Sequence, residues 1–199
     1  DPDQNTLDQY PNVLMRAEIG ALMADAHLGY LMPIGGVMAY RNKVSPVGVG
    51  FDIGCGNMAV KLDRKADEFD VSSALDIIQE RIDFGMGGEN PAGPQEHELF
   101  DSPEWAAIPD QVRPALKEKA RHQLGTVGSG NHYVDIFKDE DNHIWIGVHF
   151  GSRGFGYQTA QGFMNLSQGK GWKDNFEQKE VLLDLDTALG HDYFAAMNL

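Results

Sequence analysis

The single cysteine of the chain, Cys55, stands in the glycine-rich stretch FDIGCGN (51–57), three residues after Asp52. A thiolate is a soft metal ligand and a carboxylate is a hard one, and both can bind a divalent cation of intermediate character. Residues three apart in a turning segment can converge on one centre, so this spacing indicates a metal site. The alternative is that Cys55 is a small buried apolar side chain, the usual environment of an unpaired cysteine.

Two histidines stand beside glycine loops. His132 follows Gly-Ser-Gly and Asn131, whereas His149 ends an apolar run and precedes the loop Gly-Ser-Arg-Gly, which contains Arg153. A neutral imidazole ligates metals. The Asn131 amide can donate to an anion, and an arginine can hold a phosphate through two hydrogen bonds. The alternatives are a polar turn at the first position, and a hydrogen-bonded core histidine beside a solvated charge at the second.

A further acidic and imidazole pair, Asp25 and His27, follows an apolar run in MADAHLGY (23–30). Residues two apart in an extended chain lie on one face. These side chains can line a ligand site, or they can form only a local hydrogen bond.

Taken together, these residues suit Mn²⁺ or Zn²⁺ beside a phosphate-bearing substrate. The other histidines lie in predicted helices or polar turns, and we expect them to have surface or structural roles. They are His97, His122, His143 and His191.

The predicted elements that position these residues form an α+β fold, because the strands cluster in the middle of the chain without a regular βαβ alternation. One domain is expected over residues 1–199. Strands are predicted at 17–25 (buried), within 31–62 (short, with tight turns), at 133–137 and at 144–150. Helices are predicted at 72–87 (capped by Ser72 or Ser73), 114–125, 155–169 and 175–199, with a surface excursion at 87–110.

The composition is that of a globular protein: 42% of the 199 residues are hydrophobic and 23% are charged. The net charge of −14 disfavours non-specific binding to nucleic acid, since phosphate contacts need Lys and Arg. No apolar run is long enough to span a bilayer, so we expect no membrane association. A lone cysteine excludes an internal disulfide framework and favours a cytoplasmic location.

Four motifs resemble the RtcB-type RNA-splicing ligases. DAHLGYLMPIGG, VGVGFDIGCG, LGTVGSGNH and HFGSRGFGYQ stand in that family's order and near its spacing. The resemblance covers about residues 17–199, the N-terminal part of such a ligase. It implies a fold of central mixed or antiparallel sheets flanked by helices.

The resemblance also implies a two-metal centre. Cys55 would bridge two Mn²⁺ ions. Asp52 and His132 would hold one ion, and His149 would hold the other.

Nucleotide and RNA contacts are implied for residues around this centre. Asn131 and His132 would bind GTP or GMP, and Asp135 stands where the family usually has a glutamate that contacts guanine. Arg153 would bind an RNA or nucleotide phosphate. Asp25 and His27 would line the site.

The implied reaction joins RNA 2′,3′-cyclic phosphate or 3′-phosphate ends to 5′-hydroxyl ends, with GTP guanylylating a histidine first. The family's nucleophilic histidine lies beyond Leu199, so this chain is expected to be a fragment that does not ligate by itself. An activating protein is a possible further partner in the family. The alternatives are a truncated module that binds metal, nucleotide or RNA ends, and a metal-dependent phosphohydrolase acting on other phosphate esters.

Overall fold

The computed structural model describes residues 3–14, 16–29, 31–177 and 179–199. The chain divides into two compact units, residues 1–51 with 158–199 and residues 52–157. The helices are α1 (Gln4–Leu14), α2 (Pro46–Val49), α3 (Val71–Arg81), α4 (Arg113–Gln123), α5 (Arg153–Ser167) and α6 (Ala188–Met197). The strands are β1 (Ile19–His27), β2 (Ile34–Ala39), β3 (Lys43–Val44), β4 (Gly56–Lys65), β5 (Tyr133–Lys138), β6 (His143–Phe150) and β7 (Leu183–Asp184). Short 3₁₀ turns lie at Ala66–Glu68, Glu98–Asp101 and Pro103–Ala107.

An antiparallel sheet of order β4-β6-β5 forms the frame of the unit 52–157. Its register places Asn57 of β4 opposite His149 of β6, and His149 opposite Tyr133 of β5. Directly opposed residues share a face of the sheet, so these three side chains form one row across it. The row lies at the end of the sheet where β4 begins, β5 begins and β6 ends.

Helix α3 of this unit begins at a capping side chain, and helix α4 ends close to a glycine. The side chain of Asp70 accepts a hydrogen bond from the Ser73 amide and caps α3, so the cap precedes the predicted Ser72 or Ser73. Helix α4 ends two residues before Gly125, whose φ of 79° suits a residue without a Cβ.

The core of this unit includes side chains from the segment predicted as a surface excursion. Phe100, Trp105 and Ile108 are 0–4% exposed. The Trp105 ring packs edge-on against Phe155, with centroids 5.2 Å apart. The prediction of a surface segment at 87–110 is therefore wrong for its second half, because these apolar side chains bury themselves despite the surrounding Pro and Gly.

The other unit combines two strand pairs with helices. Strand β1 pairs with β2, and β3 pairs with β7, both antiparallel. Phe163 of α5 lies 1% exposed at the core, with ring centroids 5.3 Å from Trp172 and 5.4 Å from Tyr193 of α6. These ring pairs join α5 and α6 in one apolar layer.

Two predictions for this unit need correction. The strand predicted at 17–25 is present as β1, but most of its side chains are exposed rather than buried. The helical prediction at 175–199 holds only for α6, because β7 precedes it and Thr187 caps the helix through the Gly190 amide. Gln178 of that prediction lies outside the described residues.

The helix predicted at 72–87 is present as α3 but ends at Arg81, because Ile82 is already extended, with φ −120° and ψ 121°. The remaining predicted elements are confirmed: short strands within 31–62, helices near 114–125 and 155–169, and strands at 133–137 and 144–150. The α+β class with antiparallel sheets is likewise confirmed, and the single-domain assignment stays a prediction. Among the described residues, no helix has the length and apolarity to cross a membrane.

Candidate metal centre

The predicted metal ligands of the unit 52–157 meet at one end of its sheet. Asp52 and Cys55 lie in the turn that leads into β4, His132 directly precedes β5, and His149 is the penultimate residue of β6. The antiparallel register brings the start of β4, the end of β6 and the start of β5 together. Sequence positions up to 97 residues apart, from Asp52 to His149, thus contribute to one place.

The first pair of ligands consists of Asp52 and His132. His132 Nε2 lies 2.8 Å from Asp52 Oδ2. The other carboxylate oxygen, Oδ1, accepts a hydrogen bond from the Ser152 amide at 3.0 Å. A Cβ at Gly151 would overlap the Asp52 carboxylate, so glycine is required for this close approach. The backbone before α5 therefore fixes the orientation of Asp52.

The second pair consists of Cys55 and His149. Cys55 Sγ lies 3.2 Å from His149 Nε2. The opposite ring nitrogen of His149, Nδ1, lies 2.8 Å from the side-chain oxygen of Asn57. The rings of the two histidines, His132 and His149, meet edge to face with centroids 5.3 Å apart. The two pairs are therefore adjacent.

The ligand atoms of Cys55, His132 and His149 all lie within 4.8 Å of one another. Metal bonds to histidine nitrogen and cysteine sulfur are about 2.0–2.3 Å long, so two ligands of one ion lie roughly 3–4 Å apart. The 3.2 Å between Cys55 Sγ and His149 Nε2 lies in that range, whereas the 2.8 Å between His132 Nε2 and Asp52 Oδ2 is shorter and is the distance of a direct hydrogen bond. A cluster of thiol, imidazole and carboxylate suits a divalent cation of intermediate softness, such as Mn²⁺ or Zn²⁺.

Electrostatics at Cys55 favour the thiol in the absence of a cation. Cys55 is exposed, but partial desolvation of its thiol raises its pKa above the ordinary value, and the negative charge of Asp52 and a hydrogen bond with it raise the pKa further. Because metals bind the thiolate, a bound cation would displace the thiol proton and invert this preference.

Arg153, predicted to bind phosphate, is half-buried and anchored to two loops. Its Nε donates to Thr126 Oγ1 at 3.0 Å, and its Nη2 donates to the Gly85 carbonyl at 2.7 Å. Burial lowers its pKa, opposed by the charges of Asp52 and Asp83. Its φ of 53° lies in the left-handed region, which a residue with a Cβ adopts only when its surroundings hold it there. Arg153 thus ties the start of α5 to the loop after α3 and to the glycine loop before β5.

The other predicted site residues have distinct placements. Asn131 is exposed in the turn just before His132, and Asp135 is exposed on β5, two residues beyond Tyr133. Asp25 and His27 lie on β1 in the other compact unit, where His27 Nδ1 contacts the backbone oxygen of Asp25 at 2.7 Å. The structure therefore brings Asp52, Cys55, His132 and His149 together and leaves the roles of the others as predictions.

The other histidines have structural or surface contacts. The side chain of His97 accepts from the Leu99 amide, His122 lies between Glu89 and Glu118, and His143 lies beside Asp139. His191 is exposed on α6. These contacts agree with the sequence-based expectation.

Sequence reasoning missed Asn57, which contacts the His149 ring, and Gly151, whose lack of a side chain leaves room for the Asp52 carboxylate. Asn57 lies within the first quoted stretch, but its contact with His149 depends on the pairing of β4 with β6. The only available signal for Gly151 was its place between the predicted ligand His149 and Arg153.

The fold and the cluster define a protein of mixed α and β structure with a candidate divalent-cation centre at a sheet end. The sequence profile described as tRNA-splicing ligase RtcB matches residues 9–106 and 92–199. The chain therefore belongs to the RtcB family.

Curated relatives carry matching names. The chain is 28% identical to the tRNA-splicing ligase RtcB of Thermococcus kodakarensis, covering 96% of this chain and 50% of that protein. It is 30% identical to the RNA-splicing ligase RtcB of Escherichia coli, covering 87% of this chain and 46% of that protein. It is also 30% identical to the RNA-splicing ligase RtcB homolog 1 of Entamoeba histolytica, covering 88% and 43%. The chain spans about half the length of these relatives.

Proposed function

We propose that the chain is the N-terminal, cation-binding part of an RNA ligase that depends on GTP and Mn²⁺. The reaction would join RNA 2′,3′-cyclic phosphate or 3′-phosphate ends to 5′-hydroxyl ends, as in tRNA splicing or RNA repair. The observation that carries the proposal is the convergence of Cys55, His132 and His149 within 4.8 Å in a member of the RtcB family. The relatives named as RNA-splicing ligases support the substrate class.

The proposal assigns these residues to a pair of cations. Asp52 with His132 would hold one ion, His149 would hold the second, and Cys55 would bridge them, since its sulfur lies near both histidine rings. Bound cations of this kind neutralise charge on phosphate oxygens. The protein's own task is to orient the ligands, which the Ser152 amide does for Asp52.

The nucleotide and the RNA end would lie beside this cluster. Asn131, exposed directly before His132, would donate to nucleotide phosphates together with His132. Asp135 would accept a hydrogen bond from guanine. Arg153 would contribute positive charge for a phosphate, through the guanidinium nitrogen that the Thr126 and Gly85 contacts leave unused. Asp25 and His27 would line the site.

We propose that the guanylylated histidine implied by the resemblance lies outside these 199 residues, since none of the four motifs found here contains it. We therefore expect the 199 residues alone to bind Mn²⁺ and guanine nucleotide without joining RNA. Joining would require the parent protein, and an activating protein is a candidate additional partner.

The test begins with the native protein, purified from its source and measured by intact mass. It is incubated with RNA bearing a 2′,3′-cyclic phosphate and a 5′-hydroxyl, with Mn²⁺ and GTP, and joined RNA is quantified on a gel. We expect a mass above that of these 199 residues and joining that stops without GTP. RNA with a 5′-phosphate is the matched control.

The opposite outcome has a clear meaning. A native protein of 199 residues that binds Mn²⁺ and GMP but joins no RNA would replace the ligase with a binding module. Phosphate release from simple esters without GTP would instead indicate a phosphohydrolase.

A further inference from the structure

Asn57 stands in a row of side chains that crosses the sheet at the candidate metal centre. The row runs from Asn57 on β4 through His149 on β6 to Tyr133 on β5. Its central member is a predicted metal ligand, and both neighbours contact that ligand. The row therefore holds the His149 ring from two sides.

The hydrogen bonds of the His149 ring assign its proton. Nδ1 lies 2.8 Å from Asn57 Oδ1, and an amide oxygen can only accept, so Nδ1 carries the hydrogen. The opposite nitrogen, Nε2, then carries the lone pair, and it faces Cys55 Sγ at 3.2 Å. A metal needs that lone pair. The contact with Asn57 thus prepares Nε2 as a ligand.

Tyr133 supports the same arrangement. Its hydroxyl lies 3.4 Å from Asn57 Oδ1, to which it can donate as a second donor, and its ring stacks on the His149 ring at 5.8 Å with an interplanar angle of 23°. Stacking restricts rotation of the imidazole. Asn57 and Tyr133 therefore fix the proton and the plane of His149 together.

The neighbouring histidine has no such partner. His132 Nδ1 is buried and has no hydrogen-bond partner among the described residues, while its Nε2 faces Asp52. An acceptor at the far ring nitrogen is thus a specific feature of His149. It arises from the residue type at position 57.

We propose that Asn57 is a positioning residue that holds His149 in the Nδ1–H tautomer, so that Nε2 is presented to a divalent cation beside Cys55. Ligating histidines commonly donate their other N–H to an acceptor, and losing that acceptor typically lowers metal affinity about 10–100-fold. The cation rests on the proposed function, whereas the tautomer is a property of the protein alone.

The first measurement is made without any metal. Long-range ¹H–¹⁵N spectra of ¹⁵N-histidine-labelled protein distinguish the Nδ1–H from the Nε2–H tautomer, and His149→Gln assigns the signals. We expect Nδ1–H in the unaltered protein, loss of that preference in Asn57→Leu, and its retention in Asn57→Asp, which keeps an acceptor oxygen. Met58→Leu, on the opposite sheet face, is the control.

The second measurement is the affinity for Mn²⁺ by titration calorimetry. We expect Asn57→Leu to weaken binding by about 10–100-fold and Asn57→Asp to restore it, while Tyr133→Phe has a smaller effect. Thermal unfolding of each variant separates positioning from misfolding. Aspartate has the shape of asparagine, so the tautomer measurement, rather than the rescue of Mn²⁺ affinity, separates hydrogen-bond acceptance at position 57 from packing.

The outcomes separate the two proposals. An Nε2–H tautomer in the unaltered protein, or a tautomer and Mn²⁺ affinity unchanged in Asn57→Leu, would overturn the positioning role. Absence of any Mn²⁺ binding by the unaltered protein, with the tautomer as expected, would overturn the proposed metal function and leave the assignment of the His149 proton intact.

Discussion

The Asp52–His132 pair and the Cys55–His149 pair lie side by side, but the protein holds them in different ways. Asp52 is oriented by main chain, through the Ser152 amide and the close approach of Gly151, and the His132 side chain is only 8% exposed. The second pair is oriented by side chains, through Asn57 and Tyr133. Substitutions of the supporting residues should therefore change the metal affinity of the second pair in graded steps, whereas at the first pair they should displace the ligands.

The largest effect is expected from Cys55, which would serve both pairs. Cys55→Ala should remove half or more of the bound Mn²⁺, because its sulfur lies near both histidines. The manganese bound per protein is measured by elemental mass spectrometry after dialysis. Met86→Leu, at a side chain that is 90% exposed, is the control. Full Mn²⁺ content in Cys55→Ala would remove the bridging role.

The next effect concerns the backbone support of the first pair. Gly151→Ala should displace the Asp52 carboxylate, lowering the free energy of unfolding by about 1–3 kcal/mol and weakening Mn²⁺ binding. Gly56→Ala is a matched control, since its Cβ would meet only the Gly54 oxygen at 3.5 Å. Chemical denaturation and calorimetry measure both variants. Equal stability and equal Mn²⁺ affinity of the two variants would show that the main chain does not orient Asp52.

Arg153 tests whether the loop beside both pairs binds phosphate or only braces the fold. Arg153→Lys loses the fork that reaches Thr126 and Gly85, which should cost about 1–3 kcal/mol of stability. GMP affinity should fall while Mn²⁺ content stays constant. Arg41→Lys, in an exposed ion pair with Glu18, should cost about 0–1 kcal/mol. Loss of Mn²⁺ in Arg153→Lys would assign Arg153 a purely structural role.

The smallest effect lies at the far end of the same sheet, at Asp139. Hydrogen bonds from Trp145, Lys61 and the His143 amide hold the pKa of Asp139 well below its usual range. A lowered folded-state pKa stabilises the protein fully above the unfolded value of about 3.9, and this stabilisation is lost as the pH falls toward the folded value.

Asp139→Asn should therefore lower the unfolding temperature at pH 7, and the difference from the unaltered protein should shrink in acid. Asp141→Asn, at an exposed neighbour, is the control. Calorimetric scans from pH 7 to acid follow the difference. A difference in unfolding temperature that stays constant with pH would show that the charge of Asp139 does not stabilise the sheet.

Local patterns predicted much of the fold. The alternating apolar runs of β5 and β6 and the glycine after α4 identified those elements correctly. The helix predicted at 175–199 does not form over its whole length, because Leu183 pairs with Val44 in a strand pair. These two residues are 139 positions apart, so no local pattern could reveal the pairing. The burial of Phe100 and Trp105 likewise depends on distant partners that no local window contains.

The candidate site was predicted through motifs rather than through geometry. Asp52 and His132 stand 80 positions apart, and only the family's motif order indicated that they meet. Asn57 could not be predicted in this way, because its role depends on strand register. Residue types predict which atoms can bind a metal. The atoms that orient those ligands can be identified only when the pairing of the strands is known.

The exposed thiol of Cys55 offers a direct way to measure how many centres hold a cation. These 199 residues contain one cysteine, so a thiol reagent modifies a single position in them. Its raised pKa predicts slow labelling at neutral pH, because the thiolate is the reactive form. A cation bound to the sulfur would block the reagent altogether. The unlabelled fraction at saturating reagent would then count occupied centres directly, without a chromophore or a substrate.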